Sequence, residues 1–463
     1  MLRITGYSDK YSVHPGEKVK FYINSENSEN YEVQIVRLIH GDTNPEGPGY
    51  KEEELGASCN GNYEGRNQRI HGGSYVIIPQ DDRMNLESFT LQAYIFPTTP
   101  DKGKQGILTK WNETNSSGYG LFVDDDGCLS LMIGDGDGQV FKISSEKKLM
   151  RKVWYLIAAS FDAETGKVIL YQEPTVTPTN GGLGMSLLHP ADETSAIVES
   201  SNNIKPGKND SPLLMAASTV VDRSGRHITG GHYKEALTPV ELPEQGFVYN
   251  GKIDRPRLSN KALSKDEIKS LASGYGGCTS DLRTKVVGAW DFHANITKNI
   301  ASTFIVDMST SHLNGFIVNL PCRGMTGYNW TADEIVYHHK PEEYGAIHFH
   351  DDDIDDARWE VDFTFDVPDL IKSGVYAARL RINGDDSPET EDFVPFVIKP
   401  PKGKATSKLA LIVPTNSYMA YSNDNLGTNS VVAQLLAGKV PVLAASDLYL
   451  NEHREYGLST YSL

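Results

Sequence analysis

The chain has 463 residues, a formal net charge of −17 and a hydrophobic content of 39%. At roughly 100–200 residues per domain, this length predicts about three domains, each able to bury a core. The acidic balance argues against nucleic acid as a partner, because phosphate groups need a basic face.

The chain opens with short alternating strands that we assign to an N-terminal β arm over residues 1–58. The alternating apolar positions are Val19, Phe21, Ile23, Tyr31, Val33 and Ile35. An arm this short cannot bury a core alone, so we predict that it packs on residues 335–400, within an immunoglobulin-like unit.

Residues 59–275 contain short, regularly spaced strands rich in aromatic and β-branched residues. Asp124–Gly127 and Asp162–Gly166 each lie between two such strands and are typical hairpin turns. This pattern predicts one antiparallel two-sheet sandwich without a catalytic cleft.

The same block resembles laminin-G-like, or concanavalin-like, domains. The strings that carry the resemblance are 89–94, 154–166 and 250–264, and they match the opening strand, the central hairpin and the closing strand with its helix start. Ser264 with Glu267 three residues later predicts a capping box for that helix. The resemblance implies a jelly-roll sandwich, a fold that serves sugar binding, protein contacts and scaffolding alike.

Residues 276–403 return to strand patterning, and we predict an immunoglobulin-like β domain. Its clearest strands are 359–365, 375–382 and 394–398. Residues 404–463 differ, because 408–414 is a continuous apolar run typical of a strand buried on both faces. We therefore predict a mainly β chain that ends in the incomplete start of an α/β domain, with residues 409–413 and 440–444 exposed for lack of partner strands.

The four cysteines lie far apart, at Cys59, Cys128, Cys278 and Cys322. Their spacing fits neither a zinc site nor a disulfide framework, so we expect reduced thiols. The first residues lack the apolar core of a signal peptide, and no apolar run reaches the length of a membrane span. We therefore expect a cytoplasmic protein without membrane association.

Two acidic strings are candidate metal sites. His348 and His350 share a strand face beside Asp351–Asp353, which could supply further ligands. We favour a polar turn with hydrogen-bonded histidines there, because metal sites usually recruit ligands from several elements. Asp124–Gly127 could bind calcium, but a hairpin turn explains all four of its residues.

A third candidate is the group of tyrosines near the end of the chain, at Tyr418, Tyr421 and Tyr461. The first two follow the apolar run 408–414, and ligands of open α/β sheets bind beyond the ends of such strands. A phenolate is a hard anionic ligand suited to ferric iron. Composition alone favours tyrosines that pack in a core or form hydrogen bonds.

The sequence also resembles the large (beta) subunit of N,N-dimethylformamidase along its whole length. The strings that carry this resemblance are 6–9, 13–16, 37–42, 47–49, 319–327, 344–353, 373–376 and 456–461. It implies hydrolysis of a formamide to formate and an amine at a mononuclear iron held by two tyrosines and a glutamate. Motif matching implies Tyr421 and Tyr461 as ligands, with Tyr418 as the alternative to Tyr421.

The resemblance also implies partners and a limit on activity. The family pairs its large subunit with a small helical one and forms higher assemblies. The glutamate follows the second tyrosine in the family, whereas two residues follow Tyr461 here. We therefore expect an N-terminal portion that is inactive without a further α/β portion. The alternative is a non-catalytic laminin-G-like module that binds carbohydrate or protein.

Overall fold

The computed structural model describes residues 2–41, 46–175, 177, 194–384 and 387–421. It is built mainly from β-strands, as the sequence predicted, and divides into two compact units. Among these residues, those up to His71 and from Ala357 to Tyr421 form the first unit, and those within Gly72–Asp356 form the second.

The first unit is a sandwich of two sheets that joins both ends of the described chain. One sheet has the strand order Ile4–Ser8, Lys18–Ser25, Phe363–Asp366. The other has the order Ser12–Val13, Glu391–Ile398, Gly374–Ile382, Tyr31–His40, Lys51–Glu54, with Gly61–Tyr63 also paired to Tyr31–His40. The N-terminal strands thus share both sheets with strands from 363–398.

The core of this unit follows the alternation visible in the sequence. Val19, Phe21 and Ile23 are buried on one strand, and Tyr31, Val33 and Ile35 on another. Phe21 stacks on Phe363 of the same sheet with ring centroids 4.8 Å apart, and it contacts Phe396 of the other sheet at 5.6 Å, so aromatic rings join the two sheets within this core. Whether the topology is that of an immunoglobulin domain stays a prediction.

The second unit is the laminin-G-like sandwich, with two large sheets around one core. Its first sheet has the order Val140–Lys148, Cys128–Asp135, Ser117–Val123, Gln105–Asn112, Leu213–Met215, Tyr75–Ile78, Gly315–Val318, Phe304–Ile305, with Ser218–Val221 and Glu244–Gly246 beside it. Its second has the order Ala196–Ser201, Lys167–Thr175, Trp154–Phe161, Phe89–Pro97, Gly251–Ser259, Ala346–Phe349, Cys322–Met325, with Val286–Ala289 also paired to Gly251–Ser259. His227–Ile228 and Val240–Glu241 form a small ribbon.

Helices are few and short in the described residues. Lys265–Ser273 begins with the predicted capping box, in which the Ser264 side chain accepts from the Glu267 N–H and the Glu267 carboxylate accepts from the Ser264 N–H. The other α-helices are Ser280–Thr284 and Thr415–Tyr421, and the 3₁₀ turns are Glu26–Ser28, Asp82–Met84, Tyr275–Gly277, Pro341–Tyr344 and Pro388–Thr390. No helix among these residues combines the length and apolar content that crossing a membrane requires.

The observed domain boundaries differ from the predicted ones, which were 1–58, 59–275 and 276–403. Strand Gly315–Val318 pairs with Tyr75–Ile78, and Ala346–Phe349 pairs with Gly251–Ser259, so most of 276–349 belongs to the laminin-G-like sandwich. These pairings join residues far apart in sequence, and local strand alternation carries no signal for them. The strand predicted at 359–365 is also shorter and begins at Phe363.

Residues 408–414 do not form the predicted buried strand. They have no regular secondary structure, and Leu409, Leu411 and Ile412 are almost fully exposed. A strand is buried on both faces only where partner strands and flanking helices cover it, and the described residues supply none here. The exposure of Leu409, Leu411 and Ile412 agrees with the expectation that residues 409–413 are exposed. The α/β start stays a prediction, because residues 422–463 lie outside the described range.

Candidate functional site

Tyr418 and Tyr421 lie on the short helix Thr415–Tyr421, which begins directly after Pro414. The N–H of Tyr418 donates to the Pro414 carbonyl at 3.1 Å and closes the first turn. The two tyrosines are three positions apart, so they project from the same side of the helix. Their side chains are 62% and 55% exposed, respectively. Both phenol groups are thus accessible to a ligand from solvent.

Tyr461, the second tyrosine implied by the resemblance, lies outside the described residues. The structure therefore does not test whether Tyr421 and Tyr461 approach one another. The donor set that the described residues offer at this helix consists of Tyr421 and its alternative, Tyr418.

His348 and His350 lie together on strand Ala346–Phe349 and just beyond it, with ring centroids 4.1 Å apart. His350 Nδ1 lies 3.2 Å from Asp353 Oδ2, and the Ser74 hydroxyl donates to the same oxygen at 2.6 Å. Among the residues that the structure describes, no three His, Cys, Asp or Glu side chains are grouped to hold a metal. The hydrogen-bonded arrangement of His350 agrees with the polar-turn interpretation.

The two histidines differ in charge. Burial lowers the pKa of His348 to about 3, so its ring is neutral at physiological pH. Burial also opposes protonation of His350, but its hydrogen bond to Asp353 and the neighbouring carboxylates raise the pKa of that ring above its usual value.

The Asp124–Gly127 string is a hairpin turn whose first carboxylate is used within the turn. Asp124 Oδ1 accepts from the N–H groups of Asp126 at 3.1 Å and Cys128 at 2.9 Å, and Oδ2 accepts from the Ser144 hydroxyl at 2.9 Å. Gly127 has φ +81°, a conformation that favours glycine. The turn accounts for the string without a calcium ion.

The central strands of the laminin-G-like sandwich are covered on both faces. Every residue of Phe89–Pro97, Gln105–Asn112 and Ser117–Val123 is buried. Sugar-binding faces of β-sandwiches need side chains that a glycan can reach, and these three strands present none. The carbohydrate-binding alternative therefore finds no support in them.

Strand Gly251–Ser259 carries a group of buried charged residues that was not predicted from the sequence pattern. Arg257 is 0% exposed, pairs with Asp291 and donates to the carbonyl oxygen of Trp290 at 3.0 Å. Arg255 donates to the Ser273 carbonyl at 2.7 Å and to the Tyr328 hydroxyl at 2.6 Å. The sequence did carry a signal for this group. Several charged residues stand close together in the predicted closing strand of the sandwich, and charged side chains in a strand that is buried on both faces need partners.

Comparisons with known proteins relate the chain to one enzyme family over almost its whole length. It is 36% identical to the N,N-dimethylformamidase beta subunit of Paracoccus aminophilus, over 99% of this chain and 57% of that protein. It is 36% identical, with the same two coverages, to the N,N-dimethylformamidase beta subunit of an Alcaligenes species. The chain belongs to the N,N-dimethylformamidase beta subunit family. It spans a little over half the length of these relatives.

Two family models match separate parts of the chain. Residues 71–203 match the concanavalin A-like lectin/glucanases superfamily, and residues 322–462 match the family described as N,N-dimethylformamidase beta subunit-like, C-terminal. The first match confirms the laminin-G-like prediction. Among solved structures, a carbohydrate-binding module of Ruminococcus gnavus sialidase aligns with 44% of this chain and 95% of its own length, at 15% identity and a TM-score of 0.29.

Proposed function

We propose that this chain contributes the laminin-G-like scaffold and two metal ligands to a formamidase-like enzyme that hydrolyses a formamide to formate and an amine. The observation that carries this proposal is the 36% identity over 99% of the chain to two N,N-dimethylformamidase beta subunits. The chain spans 57% of the length of those proteins. We therefore expect activity only when the part of the subunit that this chain does not cover is also supplied.

We propose Tyr421 and Tyr461 as ligands of a mononuclear iron, with Tyr418 as the alternative to Tyr421. The exposed position of Tyr421 at the end of its helix supports the proposal, since its phenol oxygen can be approached from outside. Tyr418 shares that helix side, which keeps it as a rival. When bound, iron supplies Lewis acidity to the formyl oxygen and lowers the pKa of a water molecule.

We also propose that the chain assembles with a second type of subunit and with itself. The relatives are named as beta subunits, which implies a protein of more than one subunit type. The exposed run at Leu409, Leu411 and Ile412 supports association, because exposed contiguous apolar side chains mark surfaces that become covered.

A chimera tests the function. The chain replaces the aligned part of the Paracoccus aminophilus subunit, and formate release from N,N-dimethylformamide and other formamides is measured. We expect hydrolysis by the chimera and none by the 463-residue chain alone. Tyr421→Phe and Tyr461→Phe should each abolish hydrolysis, whereas Tyr11→Phe, an exposed tyrosine of the first unit, should not.

The outcomes separate the assignments. Loss of activity in Tyr418→Phe with retention in Tyr421→Phe would transfer the ligand role to Tyr418. Hydrolysis that survives all three tyrosine changes would overturn the tyrosine-ligated site.

A further inference from the structure

A buried carboxylate without a protein partner lies in the laminin-G-like sandwich. Asp254, on strand Gly251–Ser259, is 1% exposed, and neither of its carboxylate oxygens has a hydrogen-bond partner among the described residues. Burial raises the pKa of this carboxyl to about 6. Burying a carboxylate that has no hydrogen-bond partner costs free energy. A ligand bound to this carboxylate would offset that cost.

Two glycines lie close against this carboxylate. A methyl group on Gly327 would lie 2.6 Å from Asp254 Oδ2 and 2.9 Å from Asn329 Oδ1. A methyl group on Gly345 would lie 3.0 Å from Asp254 Oδ1 and 3.6 Å from His293 Nδ1. Neither glycine has a positive φ. Glycine is required at both positions by the close approach of these polar atoms and not by backbone conformation.

The other polar atoms that border this space are also acceptors without partners. Asn329 Oδ1 has no hydrogen-bond partner in the described part of the chain, and the Asn329 amide is oriented by its Nδ2 group, which donates to the Glu342 carbonyl at 3.1 Å. His293 Nδ1 likewise has no partner there. Burial lowers the pKa of His293, which favours the neutral ring with a free lone pair.

The charges of Arg255 and Arg257 lower the pKa of Asp254 and so offset part of the effect of burial, but neither guanidinium is hydrogen-bonded to the carboxylate. Arg255 directs its guanidinium to the Ser273 carbonyl and the Tyr328 hydroxyl. Arg257 is engaged by Asp291 and by backbone carbonyls. The Asp254 carboxylate therefore lies with the Asn329 amide oxygen beside Gly327 and with the His293 imidazole nitrogen beside Gly345, and no side chain of the described residues donates to any of these atoms.

We propose that Asp254, Asn329 and His293 bind a divalent first-row transition metal ion. A carboxylate and an amide oxygen suit Mn²⁺, and an imidazole nitrogen extends the range to Zn²⁺. The ion would hold the segment that carries Gly327 and Asn329 against strand Gly251–Ser259. Its ligands come from three separate parts of the chain, as metal sites usually require. The site is distinct from the tyrosines assigned to the formamidase reaction.

The site also gives a role to two strings that the tyrosine site leaves unexplained. Gly327 ends the string 319–327 and Gly345 lies in the string 344–353, both of which resemble the dimethylformamidase family. In the structure both strings contribute a glycine beside one carboxylate.

The test is metal binding by the intact 463-residue chain. Metal-free protein is titrated with Mn²⁺ and with Zn²⁺, followed by electron paramagnetic resonance for Mn²⁺ and by equilibrium dialysis with elemental analysis for both. We expect one equivalent of tightly bound ion and a higher thermal midpoint when it is bound. Asp254→Asn, which keeps the shape and removes the charge, should weaken binding at least tenfold.

Further variants keep the result decisive if Asp254→Asn does not fold. Gly327→Ala places a methyl group in the space without removing a ligand, and Asn329→Ala removes one oxygen. Each should also weaken binding at least tenfold. Asp392→Asn is the matched control, because burial also raises the pKa of that carboxyl to about 6, and it lies in the other unit.

The tyrosine site must be separated from this one. Tyr421→Phe and Tyr461→Phe should leave Mn²⁺ and Zn²⁺ binding unchanged. The proposal is overturned if the wild-type chain binds neither ion, or if Asp254→Asn, Gly327→Ala and Asn329→Ala bind as the wild type does. Loss of binding only in the tyrosine variants would place the ion at the tyrosines and would equally overturn it.

Discussion

Removal of Asp291 should leave the guanidinium of Arg257 buried without its counter-ion. The Arg257 side chain is 0% exposed and that of Asp291 is 14% exposed. After Asp291→Ala, the remaining acceptors of Arg257 are the neutral carbonyls of Pro256, at 3.1 Å, and Trp290, at 3.0 Å. Removing one partner of a buried pair typically costs about 3–5 kcal/mol. We expect the free energy of unfolding of the laminin-G-like unit to fall by about that amount.

The matched control is an exposed ion pair in the same unit. Arg151 and Asp101 lie 2.6 Å apart, and their side chains are 59% and 65% exposed. Exposed pairs contribute about 0–1 kcal/mol, so Arg151→Ala should change little. The double variant Arg257→Met/Asp291→Ala removes both charges and should be less destabilised than Asp291→Ala, because no uncompensated charge remains.

Urea unfolding measures these differences. The tryptophans of the second unit, Trp111, Trp154, Trp290 and Trp330, dominate the fluorescence signal, since only Trp359 lies in the first. A midpoint that shifts with an unchanged slope reports stability. If Asp291→Ala shifts the midpoint no more than Arg151→Ala does, or if the double variant is the least stable of the set, the reasoning about the buried charge is wrong.

Three further predictions concern stability and association. Burial raises the pKa of Asp392 to about 6, so the folded state favours the protonated acid, and the contribution of this group to the stability of the first unit should decrease as pH rises from about 4 to about 6. Asp392→Asn should remove that contribution, so that urea midpoints of the first unit fall less across this range in the variant than in the wild type. Phe89→Ala should lower the free energy of unfolding by about 3–5 kcal/mol, because Phe89 is fully buried and stacks on Tyr119 with ring centroids 4.2 Å apart. Leu370→Ala, at a nearly fully exposed position, should change the free energy of unfolding by less than about 0.5 kcal/mol. Equal denaturation midpoints for the two variants would contradict this prediction. Replacing Leu409, Leu411 and Ile412 with serine should reduce self-association in concentration-dependent light scattering, and unchanged scattering would exclude the exposed run as its cause.

Local features of the fold could be predicted from the sequence because their causes are local. The alternation of Val19, Phe21 and Ile23 follows from the two-residue period of a strand, and the capping box at Ser264 from the spacing of two polar side chains. The hairpin at Asp124–Gly127 needs only a turn residue and a glycine with positive φ.

Features set by distant pairing could not be predicted in this way. Nothing local indicates that Phe316 lies opposite Ile77, or that Phe349 lies opposite Gly251, so the boundary between the units was misplaced. The burial of Asp254 has the same origin, because strand Gly251–Ser259 is flanked by residues that are distant in sequence: Phe89–Pro97 on one side, and Ala346–Phe349 and Val286–Ala289 on the other. The prediction of a buried strand at 408–414 was wrong, because an apolar run becomes buried only when other strands or helices pack on it. No such partner lies in the described residues.

The candidate tyrosines came from the family resemblance and not from pattern. The structure adds that Tyr418 and Tyr421 share one side of an exposed helix. The hydrophobic periodicity of the sequence did not predict this exposed helix, because the residues before it were predicted to form a buried strand.

The most direct test of the central claim is the visible spectrum of the chimera, and of the chain alone, loaded with ferric iron. A phenolate bound to ferric iron gives a charge-transfer band, so the band reports tyrosine ligation independently of turnover. The account predicts an intense band in the chimera that is lost in Tyr461→Phe and in Tyr421→Phe, and a weak band or none in the 463-residue chain. A full band in the chimera that persists in both phenylalanine variants would contradict the assignment of these tyrosines. A full band with amide hydrolysis in the 463-residue chain would contradict the expectation that its site is incomplete.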